Sequence, residues 1–232
     1  ERREIPHECI TNNEERARRI AEALADGKVV GFMSGRMEFG PRALGARSIL
    51  GDPRRADTQA TMNLKIKFRE SFRPFAPSCL AEDVSEYFDF EGESPYMLLV
   101  APVREERRRA IPENEQQGEV DNMLQIINQV RSDIPAVTHV DCSARIQTVD
   151  QRDHPQYYRL IREFKALTGY GVVVNSSFNV RGEPIVCTPQ EAWLCFMRTE
   201  MDLLVLEDHL VWKAQQPPWV ESEDWRQQYE LD

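Results

Sequence analysis

Apolar positions along the chain follow two patterns, a helical spacing in some stretches and short unbroken runs in others, and the two interleave throughout. Asn12 to Asp26 opens on polar residues, places Ile20, Ala21 and Leu24 on one face and stops at Gly27, which predicts a helix. Lys28 to Met33 (KVVGFM) is an apolar run suited to a buried strand. The Gly/Pro-rich SGRMEFGPRALGAR that follows is too punctuated for either element, and a strand resumes over Arg47 to Leu50. A helix is expected from Ala56 to Lys67, then an extended passage forced by Pro74 and Pro77. Glu82 to Phe88 reads as a short helix and Tyr96 to Val103 as a strand, followed by a hydrophilic stretch, Arg104 to Glu119, expected as an exposed loop or helix.

Farther on, Ala136 to Val140 and Ile146 to Val149 read as strands flanking the polar DCSAR. Pro155 to Leu167 is an amphipathic helix ended by Gly169, and Gly171 to Asn175 is a buried strand. Pro189 to Arg198 reads as a helix, Leu203 to Val211 as two short strands broken at Asp208, and the aromatic tail from Gln215 as a segment packed on a neighbouring surface. Interleaved helices and strands with no internal repeat predict an α/β (α+β) fold in a single domain.

A length of 232 residues is ample to bury a core, and 41% hydrophobic with 29% charged residues is the composition of a globular chain. No apolar run approaches the roughly 20 residues of a membrane-spanning helix. The opening ERREIPHECI has neither an initiator Met nor the layout of a signal peptide, which reads as a piece of a longer protein. Five widely spaced cysteines without a CxxC pair point away from a disulfide framework or a zinc site and toward a reducing cytoplasm. A net charge of -10 disfavours broad binding of duplex nucleic acid, whose affinity comes mostly from neutralised phosphates.

That charge is unevenly spread. Between Ser34 and Arg73 stand nine basic and four acidic residues, a local excess of +5 in an acidic chain. The pattern fits a focused anion site, with a solvated arginine-rich loop as the alternative. Within the segment, Gly35 to Arg47 joins three glycines, which permit close backbone approach, to the forks of Arg36, Arg42 and Arg47, which match phosphate oxygens; it reads equally as a structural turn. It is neither a P-loop nor a GxGxxG motif. Lys67-Phe68-Arg69, taken as extended, puts two cations on one face, with Arg73 close behind. Such a pair calls for an anion between them or for salt bridges to Glu70.

Two further constellations carry polar chemistry. Asn175-Ser176-Ser177-Phe178-Asn179 follows the GVVV strand, where α/β sheets present ligands, or else merely closes the strand as a turn. His139 and Asp141, on the same side of an expected strand, pair with each other or help hold a nucleotide or Mg2+, with Arg145 and Gln147 beyond. There is no HExxH, no histidine cluster and no GxSxG elbow.

The stretches GRMEFGPRALGARSILGDPR, MNLKIKFRESFRPFAPSCL, AVTHVDCSARIQTV and GVVVNSSFNVRGEPIVCTPQEAW together resemble the carboxy-terminal domain of the NodU/CmcH-type O-carbamoyltransferases, in family order over residues 28–212. That domain is similar to YrdC-like proteins, whose KxR and SxN signatures fit Lys67-Phe68-Arg69 and Ser177-Phe178-Asn179. The resemblance implies a YrdC-like twisted mixed sheet with flanking helices over 12–214, a linker from an absent amino-terminal domain over 1–11 and a tail over 215–232. It implies conversion of carbamoyl phosphate and ATP to carbamoyl-adenylate, with Mg2+ on the ATP phosphates. Lys67, Arg69 and Arg73 would be catalytic. Arg42, Lys67, Arg73, Ser177 and Asn179 would bind carbamoyl phosphate, and His139, Arg145 and Ser176 would bind ATP.

Transfer to a hydroxyl acceptor would fall to a kinase-like amino-terminal domain of the same polypeptide, whose histidine-rich site would hold Fe2+ or a similar metal. The four histidines here, with no HxxxH pair, do not supply such a site. A homodimer is compatible with this reading. The rival readings are a threonylcarbamoyl-adenylate synthase, an RNA-binding YrdC-like module and a non-catalytic docking domain.

Overall fold

A computed structural model describes residues 5–110 and 129–219. Their strands are β1 (Glu8–Cys9), β2 (Val30–Met33), β3 (Arg47–Gly51), β4 (Ala76–Leu80), β5 (Leu99–Pro102), β6 (Ser143–Val149), β7 (Val172–Ser177), β8 (Leu203–Leu206) and β9 (His209–Trp212). They form one mixed sheet in the order β1-β9-β8-β2-β3-β7-β4-β6-β5. The β2/β8 and β4/β6 pairs are parallel and the others antiparallel. The helices are α1 (Asn13–Ala25), α2 (Ala56–Lys65), α3 (Val84–Tyr87), α4 (Pro155–Thr168) and α5 (Pro189–Arg198). This mixed α/β sheet with flanking helices is the predicted fold class. No helix among the described residues is long and apolar enough to cross a membrane.

Alternation along the strands builds a core on each face of the sheet. Val29, Ile49, Cys79, Val172 and Val174 meet Met62 of α2, Tyr87 of α3 and Phe196 of α5. Val30, Leu50, Leu80 and Val173 turn the other way, onto Ile20 and Leu24 of α1 and Leu160 and Phe164 of α4. Burial on both faces explains why these strands read as unbroken apolar runs. The helix ends carry their own signals. Asn12 accepts from the backbone N–H groups of Glu14 and Glu15, and Gly169 (φ +82°) closes α4. Thr188 and Glu191 cap each other across the start of α5.

Several expectations need correction. Ala136 to Val140 is not a strand: Pro135 opens a 3-10 turn, Pro135–Val137, and a tight turn follows in which Cys142 N–H donates to the His139 carbonyl with Cys142 at φ +59°. β6 instead begins at Ser143, inside DCSAR. The strand expected from Tyr96 starts only at Leu99, because Met97 sits at φ +55°. Within the stretch expected as linker, Glu8 and Cys9 pair with β9 at the sheet edge. Of the tail, Trp219 packs edge-on against Trp193 at 4.8 Å; residues 220–232 and 111–128 lie outside the described residues.

Candidate anion site

The glycine-rich loop between β2 and β3 is shaped by its own polar atoms. Gly35, Gly40 and Gly45 take φ of +65°, +137° and +111°, which favour glycine. Glu38 Oε1 accepts from the backbone N–H groups of Leu44 at 2.7 Å and Ala46 at 2.6 Å. Gly45 lies flat against the Tyr157 ring of α4, where a Cβ would overlap the ring.

The three arginines of this loop part company. Arg47 is buried and donates to the carbonyls of Gly35 (3.1 Å), Ala46 (2.8 Å) and Cys187 (3.2 Å), so it braces the loop instead of offering a fork to phosphate. Arg36 lines a separate cavity of about 480 Å³ together with Glu38, Asp153 and His154. Because those carboxylates balance it, that cavity lacks the excess positive charge an anion would seek.

Arg42 faces a smaller cavity of about 130 Å³, and there the candidate residues converge: Arg69, Arg145, Ser176 and Ser177 line it, with Met97, Phe75 and Asn175. No carboxylate of the described residues stands in the lining. The buried Nε atoms of Arg42 and Arg145 have no hydrogen-bond partner among the described residues, an arrangement that costs free energy until an acceptor arrives. Burial, reinforced by nearby Arg73, pulls Arg69 down to about 10. Burial and then Arg42 lower Arg145 as well. Arg69 is oriented by Asn63, whose Oδ1 accepts from its Nε at 2.6 Å, and by the Phe75 ring 5.0 Å below the guanidinium.

Lys67 joins the two signature motifs, by a route the sequence reading did not foresee. Lys67 and Arg69 are not alternating strand positions: Lys67 N–H still donates to Met62 at the end of α2, and Phe68 turns the chain with φ +49°. The reversal separates the two cations. Arg69 faces the cavity, whereas Lys67 is buried and its Nζ donates to the Ser177 carbonyl, the Asn179 carbonyl (2.8 Å) and Asn179 Oδ1 (2.8 Å). Ser177 Oγ in turn donates to Asn179 Oδ1 at 2.7 Å. Burial lowers the Lys67 ammonium to about 7. Its donors are occupied by protein oxygens, so it sets the position of the Ser177–Asn179 turn.

Arg73 and His139 stand outside the lining. Arg73 is half exposed and paired with Glu70 at 3.1 Å, although its charge reaches Arg69. His139 sits on the turn before β6, where burial lowers it, the Asp141 charge opposes that shift and Arg145 adds to it. Asp141, expected to pair with His139, gives its Oδ1 to the N–H (3.0 Å) and hydroxyl (2.7 Å) of Ser143. No group of three or more His, Cys, Asp or Glu side chains suited to a metal occurs among the described residues.

A buried network behind the cavity escaped the motif reading. Asn175 Nδ2 donates to the Ala43 carbonyl at 3.0 Å and contacts Ser78 Oγ and Gln147 Oε1, and Gln147 Nε2 donates to the Leu44 carbonyl at 2.8 Å. Three strands thereby hold the backbone that carries Arg42. The available signal was polar residues at central positions of otherwise apolar strands, which require buried partners.

Fold and cavity together describe a mixed α/β domain with a small cavity lined by three arginines. The family model for the carbamoyltransferase C-terminus matches residues 21–213, and the chain belongs to that family. An uncharacterized Synechocystis protein, sll1178, is 59% identical over 92% of this chain and 34% of its own length. The 3'-hydroxymethylcephem-O-carbamoyltransferase of Amycolatopsis lactamdurans is 39% identical over 80% of this chain and 31% of its own length. The chain thus spans about a third of the length of these relatives. Full-length HypF, crystallized in a phosphate- and nucleotide-bound form, superposes with a TM-score of 0.52 at 17% identity, covering 88% of this chain and 22% of its own, which shows a shared fold.

Proposed function

We propose that this domain activates a carbamoyl group, taking carbamoyl phosphate and ATP to carbamoyl-adenylate for transfer to a hydroxyl acceptor by a separate domain of a longer polypeptide. The observation that carries this reading is the convergence of Arg42, Arg69 and Arg145 on one small cavity with no carboxylate in its lining among the described residues. Fixed cations of this kind bring two anionic substrates together and offset charge that develops during phosphoryl and adenylyl transfer. For the atoms to balance, water cleaves carbamoyl phosphate to carbamate and phosphate, and a carbamate oxygen then attacks the α-phosphorus of ATP, releasing pyrophosphate. Ser176 and Ser177 orient oxygens of the small anion. Arg73 turns from its exposed partner Glu70 toward the phosphates at little cost. The lining offers no hard anionic ligand, so magnesium belongs to the ATP phosphates and no step is assigned to it.

Labelled pyrophosphate is expected to exchange into ATP only when carbamoyl phosphate is present, and calorimetry should register binding of both substrates. Absence of binding for both at millimolar concentration would overturn the reading. A cavity of about 130 Å³ suits a small anion such as carbamoyl phosphate, which favours this activity over recognition of a polynucleotide.

A further inference from the structure

The cavity contains one feature that its positive charge does not explain. Asn175 lines it at 2% exposure, and its Oδ1 has no hydrogen-bond partner among the described residues. The orientation of the amide is fixed from behind: Nδ2 lies 3.0 Å from the Ala43 carbonyl, which can only accept. The backbone is fixed as well, since Asn175 is paired with Leu50 of β3 on one side and Ala76 of β4 on the other. Asn175, with its unpaired carbonyl oxygen, therefore lines the same cavity as Arg42, Arg69 and Arg145, which can only donate, and Ser176, whose hydroxyl does either.

A cavity made only of donors would hold phosphate, an acyl phosphate or carbamoyl phosphate with little distinction. An acceptor set among the donors is complementary to a ligand that carries N–H as well as anionic oxygens. We infer that Asn175 is a specificity-determining residue whose Oδ1 accepts a hydrogen bond from the amino group of the carbamoyl ligand and so selects carbamoyl over acyl phosphates. This rests on the carbamoyl phosphate reading above. Acetyl phosphate is the apt competitor, because it puts a methyl group of similar size where the amino group would be and leaves the buried oxygen unpaired.

The test is calorimetric titration of the 232-residue chain with carbamoyl phosphate, acetyl phosphate and inorganic phosphate. The wild-type chain should bind carbamoyl phosphate at least about tenfold more tightly than acetyl phosphate. Asn175→Ala should bring that ratio to within about twofold of one, whatever it does to the absolute affinities. Gln147→Leu removes the anchor at Leu44 and one acceptor beside Asn175 Nδ2 but keeps the Ala43 carbonyl that orients the amide, so it should weaken both ligands by a common factor and keep the ratio. Should Asn175→Ala not fold, the wild-type ratio decides. Equal wild-type affinities, or a ratio unchanged in Asn175→Ala, would overturn the inference and leave the carbamoyl phosphate reading standing. Failure of the wild-type chain to bind any of the three would overturn both.

Discussion

Lys67 Nζ lies 2.8 Å from Asn179 Oδ1 and 2.8 Å from the Asn179 carbonyl, so an ammonium just beyond α2 holds the turn that follows β7. Replacement by methionine fills much of the volume but strands carbonyls inside the protein. Lys67→Met should lower unfolding stability by about 1–3 kcal/mol in denaturant melts, with loss of affinity for phosphate as the Ser177 turn drifts.

The same lysine gives a signed pH dependence. Burial depresses Lys67 to about 7, whereas an unfolded lysine titrates near about 10.4. Between those values the unfolded chain binds more protons, so this group makes stability rise with pH. The cost of keeping it charged is fully present below pH 7 and is relieved as pH climbs toward 10. Comparison of wild-type and Lys67→Met melts over that window should show the wild-type chain gaining on the variant; a constant gap would contradict the buried, depressed ammonium.

Arg73 separates function from stability. Its partner Glu70 is as exposed as it is, and exposed pairs contribute about 0–1 kcal/mol. Arg73→Ala should therefore melt within about 1 kcal/mol of wild type yet lose most carbamoyl-phosphate-dependent pyrophosphate exchange. Unimpaired exchange would remove Arg73 from the site.

Gly45 is where the loop meets α4. Its φ of +111° and its contact with the Tyr157 ring exclude a side chain twice over. Gly45→Ala should cost about 1–3 kcal/mol through overpacking and strain, and should weaken anion binding because Arg42 rides on the same loop. Urea unfolding and phosphate titration of the variant check both effects.

The helices and central strands were legible because each carries local chemistry: Asn12 and Gly27 bound α1, and Gly169 stops α4. The failures occurred where nonlocal geometry decides. Ala136 to Val140 has strand composition, but Pro135 removes a donor and the Cys142 reversal ends any extension. In the site, the motifs brought Arg42, Arg69, Arg145, Ser176 and Ser177 into view, and these do share one cavity. Which way each side chain points was not legible. Lys67 turns inward because Phe68 adopts a left-handed conformation that alternation rules do not contain, and Arg47 turns to carbonyls from its own loop and from Cys187. The Asn175, Gln147 and Ser78 network joins residues far apart in sequence, so its members looked like polar interruptions of strands.

The arginine cavity should reveal itself through a trade between stability and binding. Burial and Arg42 both lower Arg145, which means the folded chain holds that charge at a cost; apart from a 3.9 Å contact with the Met97 sulfur, its side chain donates to no group among the described residues. Arg145→Met removes the repulsion and fills similar space, so the unliganded variant should melt at or above wild type, by about 0–1 kcal/mol. An anion supplies the missing acceptor. Phosphate at about 100 times its dissociation constant should stabilise the wild-type chain by about 2.7 kcal/mol. For a chain of this size that is a rise of roughly 5–10 °C in Tm. Arg145→Met should lose most of that rise. A variant that is less stable without ligand and still fully stabilised by phosphate would assign Arg145 to the scaffold, because only a binding cation couples a burden in the empty protein to a gain in the filled one.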